Sequence, residues 1–147
     1  SIMMNLQELQ TISHHHLPVK LFLLNNGGYH SIRQTQNSYF PGPQVGTGPA
    51  SGVGFPDFGL LAKAHGLAYA RIATHAGLEE GIAACLGTPG ACLCEVLLDP
   101  AQPFAPRVAS RRLEDGRMLS GTLDDMAPFL PSEEVRRNRL LTPSPLP

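Results

Sequence analysis

The chain has 147 residues, 42% of them hydrophobic, enough to build one domain with a real core, while its 15 glycines and 14 prolines imply long irregular stretches. A formal net charge of -1, from nearly equal acidic and basic totals, argues against the positive field that nucleic acid or an anionic membrane surface selects. No run approaches the roughly 18 consecutive apolar residues of a membrane span, and the first residues do not read as a basic region followed by an apolar leader.

Three cysteines, Cys85, Cys92 and Cys94, are an odd number in a chain too long to need disulfide staples. The expectation is a cytoplasmic protein with reduced thiols that handles small molecules, with neither nucleic acid nor membrane as partner.

Between Ile2 and Ser13 the apolar residues Ile2, Leu6, Leu9 and Ile12 recur at steps of four and three, which predicts an amphipathic helix. His14, His15 and His16 follow its last turn, and Pro18 stops it. Neighbouring residues on a helix end point in different directions, so a solvated cap is favoured over a cluster of metal ligands. Val19 to Leu24 reads as a strand buried on both faces, and Asn25 to Gly54 as a long glycine- and proline-rich loop. Pro56 and Asp57 open a second helix, in which Phe58, Leu61 and His65 share a face and which Gly66 ends. Leu67 to Ala73 predicts a strand, Leu78 to Leu86 a helix ended by GTPG, and Ala91 to Leu98 another strand. Alternation of this kind predicts the α/β class, with a parallel sheet flanked by helices in three layers.

After Asp99-Pro100 the character changes, so the division expected is a domain over 1–99 and an irregular tail over 100–147 without a sheet of its own. Within the tail, Arg107 to Leu119 around Asp115-Gly116 predicts a loose hairpin. Leu123, Met126, Phe129 and Leu130 are expected to cover a small apolar surface, and the final TPSPLP to be poorly ordered.

The stretch KLFLLNNGGYHSIR raises the question of chemistry, because ligands in open α/β sheets sit at the carboxyl ends of strands. An asparagine offers a neutral oxygen, and a main-chain carbonyl two residues on reaches the same point when glycine permits the turn. Two such oxygens suit Mg²⁺, which shares its shell with phosphates. The N–H groups of Tyr29, His30 and Ser31, if they open a helix, would face those phosphates. NNGG is also an excellent turn sequence, and on spacing alone the plain turn is favoured over a ligand site.

The segments SIMMNLQELQTI, LPVKLFLLNNGGYHSIRQTQ and DFGLLAKAHG resemble the carboxy-terminal, diphosphate-binding domain of thiamine diphosphate enzymes of the acetolactate synthase type. The likeness covers nearly the whole chain. That family's cofactor signature is Gly-Asp-Gly followed at a distance by Asn-Asn; Asn25-Asn26 stands at the second place, and Ser1 at the position just after the first. The resemblance implies a partial thiamine diphosphate-binding fold. It assigns Asn26 and, through its carbonyl, Gly28 as ligands of Mg²⁺, and Ser1, Tyr29, His30 and Ser31 as residues that contact the cofactor. Ile32 to Gln36 would lie near the substrate pocket. There IRQTQ departs from branched-chain acetolactate synthases and is closer to relatives in nucleotide-sugar or secondary metabolism, as is the tail LEDGRMLSGTLDDMAPFL, which would serve as an active-site cover.

The activity implied is carboligation or decarboxylation of a 2-oxo acid such as pyruvate, with a carbonyl compound as acceptor. Enzymes of this type also need a glutamate from a pyrimidine-binding domain, generally on a neighbouring subunit, so a homo- or hetero-oligomer is expected, with FAD as an option on a domain absent from these residues. Glu8, Glu79, Glu80 and Glu95 read as solvated or structural, and no catalytic residue is assigned. The isolated chain is expected to be inactive, as a fragment or as one half of a split enzyme. A non-catalytic binding or scaffolding module that keeps the fold is the alternative.

The other reactive side chains have plainer readings. Cys92 and Cys94 alternate along one strand face and are expected to be packed thiols, as is Cys85 beneath its helix. His65 and His75 suit helix boundaries. Arg33 is expected to meet a carboxylate or sugar phosphate, or to form a surface ion pair. Arg111-Arg112 and Arg136-Arg137 read as solvated charge pairs.

Overall fold

The computed structural model describes residues 2–40, 42–112 and 115–138, without the side chains of Arg111 and Arg112. Its central sheet has three parallel strands, β1 (Lys20–Asn25), β2 (Ala68–Ile72) and β3 (Cys92–Leu97), with β3 between the other two. The middle strand is the most deeply covered of the three: Cys92 through Val96 are all buried, the charged Glu95 among them.

Helices α1 (Glu8–His14) and α3 (Phe58–Ala64) cover one face, where Leu9, Phe58, Ala62 and Leu67 pack with Leu93. Helix α4 (Leu78–Gly87) covers the other, where Cys85 packs with Ile72, Cys92, Cys94 and Val96. The expected α/β architecture, a parallel sheet flanked by helices in three layers, is therefore observed. No helix among the described residues is long and apolar enough to cross a membrane.

Several elements differ from expectation for identifiable reasons. The first helix does not run from Ile2: residues Ile2–Met4 form a 3-10 turn, and α1 starts at Glu8. Ile2, Leu6, Leu9 and Ile12 nevertheless all reach the same core, since a tighter first turn keeps the apolar stripe on one side. Strand β1 is not buried on both faces. Phe22 and Leu24 are 39% and 61% exposed, because β1 lies at an edge of the sheet and α4 covers only its other two strands.

The largest departure falls in the expected loop over 25–54, which contains a ten-residue helix, α2 (His30–Tyr39), and a 3-10 turn at Pro49–Ser51.

The described chain divides into two compact units, Ser1–Gln102 and Pro103–Pro147. Residues just past β3 stay with the first unit. Asp99 accepts from the Ala101 N–H through Oδ1 (2.8 Å) and from the Gln102 N–H through its carbonyl (3.0 Å). Within the second unit β4 (Ser110–Arg112) and β5 (Met118–Ser120) pair antiparallel around the predicted turn, and α5 (Ser132–Asn138) follows. The tail thus has a small sheet of its own, contrary to expectation. Leu123 and Leu130 are 81% and 50% exposed rather than folded over an apolar surface. Arg136 and Arg137 lie exposed in the last turn of α5. The charge pair expected at Arg111-Arg112 and the terminal TPSPLP lie outside the described residues and side chains.

Candidate functional site: the turn at the end of strand β1

At the end of β1 the chain must leave the sheet without burying unpaired amides, and Asn25 arranges this. Its Oδ1 accepts from the Gly27 N–H (3.1 Å), an Asx turn, and Gly27 sits at φ +69°, where glycine is favoured. The other end of the same amide, Nδ2, donates to Glu95 Oε1 at 2.5 Å. Asn25 is therefore committed to the turn. The Asn26 side chain, half-buried, makes no hydrogen bond among the described residues.

Gly28 is held differently. A Cβ at this position would stand 2.1 Å from the carbonyl oxygen of Thr47 and 2.6 Å from Arg33 Nη2, so only glycine allows the approach. That carbonyl also accepts from the Tyr29 N–H (2.8 Å). Thr47 is 2% exposed, and its own N–H donates to Ser51 Oγ (2.9 Å), as does that of Gly48 (2.9 Å). Gln36 pins the same segment to α2 with reciprocal bonds, Nε2 to the Val45 carbonyl (2.8 Å) and Oε1 from the Val45 N–H (3.0 Å). Arg33 Nη1 donates to the Pro100 carbonyl (3.0 Å) just beyond β3. Arg33 thus braces main chain, and the expected carboxylate or ion-pair partner is not what it meets.

Asn26, Gly28 and Tyr29 line one cleft of about 60 Å³, closed by Ile2, Met3 and Phe55. The Tyr29 ring meets Phe55 edge-on, with centroids 5.7 Å apart. Among the residues expected at the cofactor, Ser1 lies outside the described residues. His30 is buried at the start of α2, and Ser31 is exposed in its first turn. The Tyr29 N–H, expected to face phosphate, is instead taken by Thr47. Helix α2 makes its first internal bond from the Arg33 N–H to the Tyr29 carbonyl (3.0 Å), so donors of the preceding turn have no partner within the helix. Of the stretch expected near the substrate, Gln36 is spent on Val45.

The chemistry of the donors limits what the cleft can hold. No group of three or more His, Cys, Asp or Glu is placed to hold a metal among the described residues. A cation here would draw on the amide oxygen of Asn26, main-chain carbonyl and ligand oxygens, the set preferred by a hard ion. The three cysteines pack together on the α4 face, buried and free. Burial pushes the Cys92 and Cys94 thiols up, which keeps them protonated and unreactive. His14, His15, His16 and His75 are exposed, and His65 ends α3 with Nδ1 3.4 Å from Gln10 Oε1.

Sequence reasoning missed the centre of the polar network. Glu95 is 7% exposed on the middle strand, and its Oε2 accepts from the Tyr69 hydroxyl, with Arg71 Nε at 3.8 Å. The register β1–β3–β2 brings these residues together, and linear spacing carries no sign of it. Partial burial, the hydrogen bond to Glu95 and that carboxylate's charge push the Tyr69 phenol up to about 12. The resulting stabilisation is complete below the ordinary phenol pKa of 10.0 and is lost as pH rises toward about 12. In an alkaline absorbance titration one of the three tyrosines should ionise near pH 12, and Tyr69→Phe should remove that step. A Tyr69 step near pH 10 instead would contradict the bond to Glu95.

The chain is similar to known proteins over most of its length. Residues 1–96 match the family model described as "Thiamine pyrophosphate enzyme, C-terminal TPP binding domain". The chain is 32% identical over 109 residues to the acetolactate synthase large subunit of Cyanidium caldarium, covering 74% of this chain and 18% of that protein. It is 35% identical over 114 residues to the chloroplastic acetolactate synthase of Arabidopsis thaliana, covering 75% of this chain and 17% of that protein. The chain thus spans less than one fifth of the length of these relatives.

Proposed function

Because the chain belongs to the family of thiamine pyrophosphate enzyme C-terminal TPP binding domains, we propose that the cleft at the end of β1 anchors the diphosphate of thiamine diphosphate through Mg²⁺. In this reading the ion is held by the Asn26 amide oxygen and the Gly28 carbonyl. The observation that carries it is the division of labour between the two asparagines: Asn25 makes the turn, and the Asn26 amide stands uncommitted in the cleft. The oxygen donors suit the ion, and the diphosphate supplies the rest of the shell together with ligands outside the described residues.

The remaining residues keep that geometry fixed. Thr47, clamped by Ser51, holds the Tyr29 N–H; Arg33 ties the turn to the main chain beyond β3; Phe55 fixes the Tyr29 ring. Ser31 and His30, in the first turn of α2, stand next in line toward the cofactor. When bound, the thiazolium supplies the electron sink for 2-oxo acid chemistry. The task of this chain is orientation, which sets the distance between reacting groups.

The similarity to acetolactate synthases supports a carboligase or lyase acting on a 2-oxo acid such as pyruvate, with a carbonyl acceptor, in an assembly that carries a pyrimidine-binding domain. These 147 residues by themselves are not expected to turn over substrate. Calorimetry of thiamine diphosphate binding to the assembly that contains this chain should give heat with Mg²⁺ present and little without it. No heat in either condition, with the fold intact, would favour a scaffolding module instead.

A further inference from the structure

Glu95 reaches the candidate site without touching it. On one face of the sheet it lies level with Leu23 on β1 and Arg71 on β2, and its two oxygens are divided between neighbours. One accepts from Asn25 Nδ2 (2.5 Å), the other from the Tyr69 hydroxyl. A carboxylate offers only acceptors, so it selects the NH₂ end of the Asn25 amide. The amide is planar, and fixing its nitrogen fixes its oxygen, which then holds the Gly27 N–H (3.1 Å). Were the amide reversed, NH₂ would meet N–H, and the turn would lose its closing bond.

We propose that Glu95 is a positioning residue: it locks the Asn25 amide in the orientation that presets the turn carrying Asn26 and Gly28. This inference rests on the reading of the cleft as a Mg²⁺–diphosphate site, and it joins all three strands to that turn. Tyr69 and Arg71 on β2 hold the carboxylate on β3, which holds Asn25 on β1. Direct contact with substrate or cofactor is not part of the role.

The test compares Glu95→Met, which fills similar space without an oxygen acceptor, with Glu95→Gln, which keeps one oxygen for Asn25. Amide hydrogen exchange is followed at Gly27 and, as a reference, at Leu93 in the central strand. In Glu95→Met the Gly27 amide should exchange at least about tenfold faster while Leu93 stays protected, and Mn²⁺ affinity of the assembly in thiamine diphosphate should fall about 10- to 100-fold, the range for outer-shell partners. Glu95→Gln should restore both toward wild type.

Asn25→Ala should reproduce the Gly27 effect, and adding Glu95→Met to it should change Gly27 exchange no further, because the two act in series. Equal behaviour of the Met and Gln variants, parallel loss at Gly27 and Leu93, or additive effects in the double variant would each overturn the proposal. Should Glu95→Met fail to fold, the Asn25→Ala and Glu95→Gln results still decide it: unchanged Gly27 exchange in Asn25→Ala, or lost protection in Glu95→Gln, overturns it. A wild-type assembly that binds no metal would instead refute the reading of the cleft, while the Gly27 measurements continue to judge Glu95 separately.

Discussion

Asn26→Ala is expected to lower Mg²⁺-dependent affinity for thiamine diphosphate by more than about 100-fold, because outer-shell partners of metal sites are already worth about 10- to 100-fold and this side chain is assigned as a direct ligand. The fold should not notice. The Asn26 side chain makes no hydrogen bond among the described residues and lines an open cleft, so its truncation leaves no orphaned partner and no core cavity. Stability should change by no more than about 0.5 kcal/mol.

The neighbouring Asn25→Ala is the informative contrast. It removes two hydrogen bonds, leaving both the Gly27 N–H and the Glu95 carboxylate short of a partner, and should cost roughly 1–3 kcal/mol as well as affinity. Cofactor titration by calorimetry, beside urea denaturation of the same samples, separates the two. Unchanged affinity in Asn26→Ala would remove the metal assignment.

The contrast also explains how far the sequence could be read. From residues alone NNGG read first as a turn, and the structure shows that turn made by Asn25, while the Asn26 amide lines the cleft uncommitted. The strands and the helices α3 and α4 were legible because their apolar periodicity is what packs the sheet. Helix α2 was not. Its sequence, HSIRQTQNSY, has too few apolar residues to form a stripe, its start carries no capping side chain, and Ile32 and Tyr39 remain exposed. Contacts outside the helix fix it, from Gln36 to Val45 in the following loop and from Arg33 to the distant Pro100. A periodicity argument contains neither. Glu95 was legible only as a structural carboxylate. Its three partners come from two other strands, so its role emerges only once the strand order and register are known.

Gly28→Ala should be the most damaging small substitution in the first unit. Its Cβ would stand 2.1 Å from the Thr47 carbonyl oxygen and 2.6 Å from Arg33 Nη2. The guanidinium can swing away at the expense of its bond to Pro100. The carbonyl has no such freedom, because Thr47 is 2% exposed, its N–H is bonded to Ser51 Oγ, and its oxygen holds the Tyr29 N–H. Relief therefore requires the turn and the 44–51 segment to separate, at the cost of about 1–3 kcal/mol usual for overpacking. In a unit near 100 residues each kcal/mol lowers Tm by roughly 4–8 °C. Displacing the main chain at position 28 also moves the carbonyl assigned to the metal, so cofactor affinity should fall together with stability, unlike in Asn26→Ala. Gly54→Ala is the control, since nothing stands within 4 Å of a Cβ there, and it should stay within about 0.5 kcal/mol of wild type. If the two glycine variants melt alike, the 44–51 segment does not grip the turn, and the rigidity required of the Gly28 carbonyl must have another source.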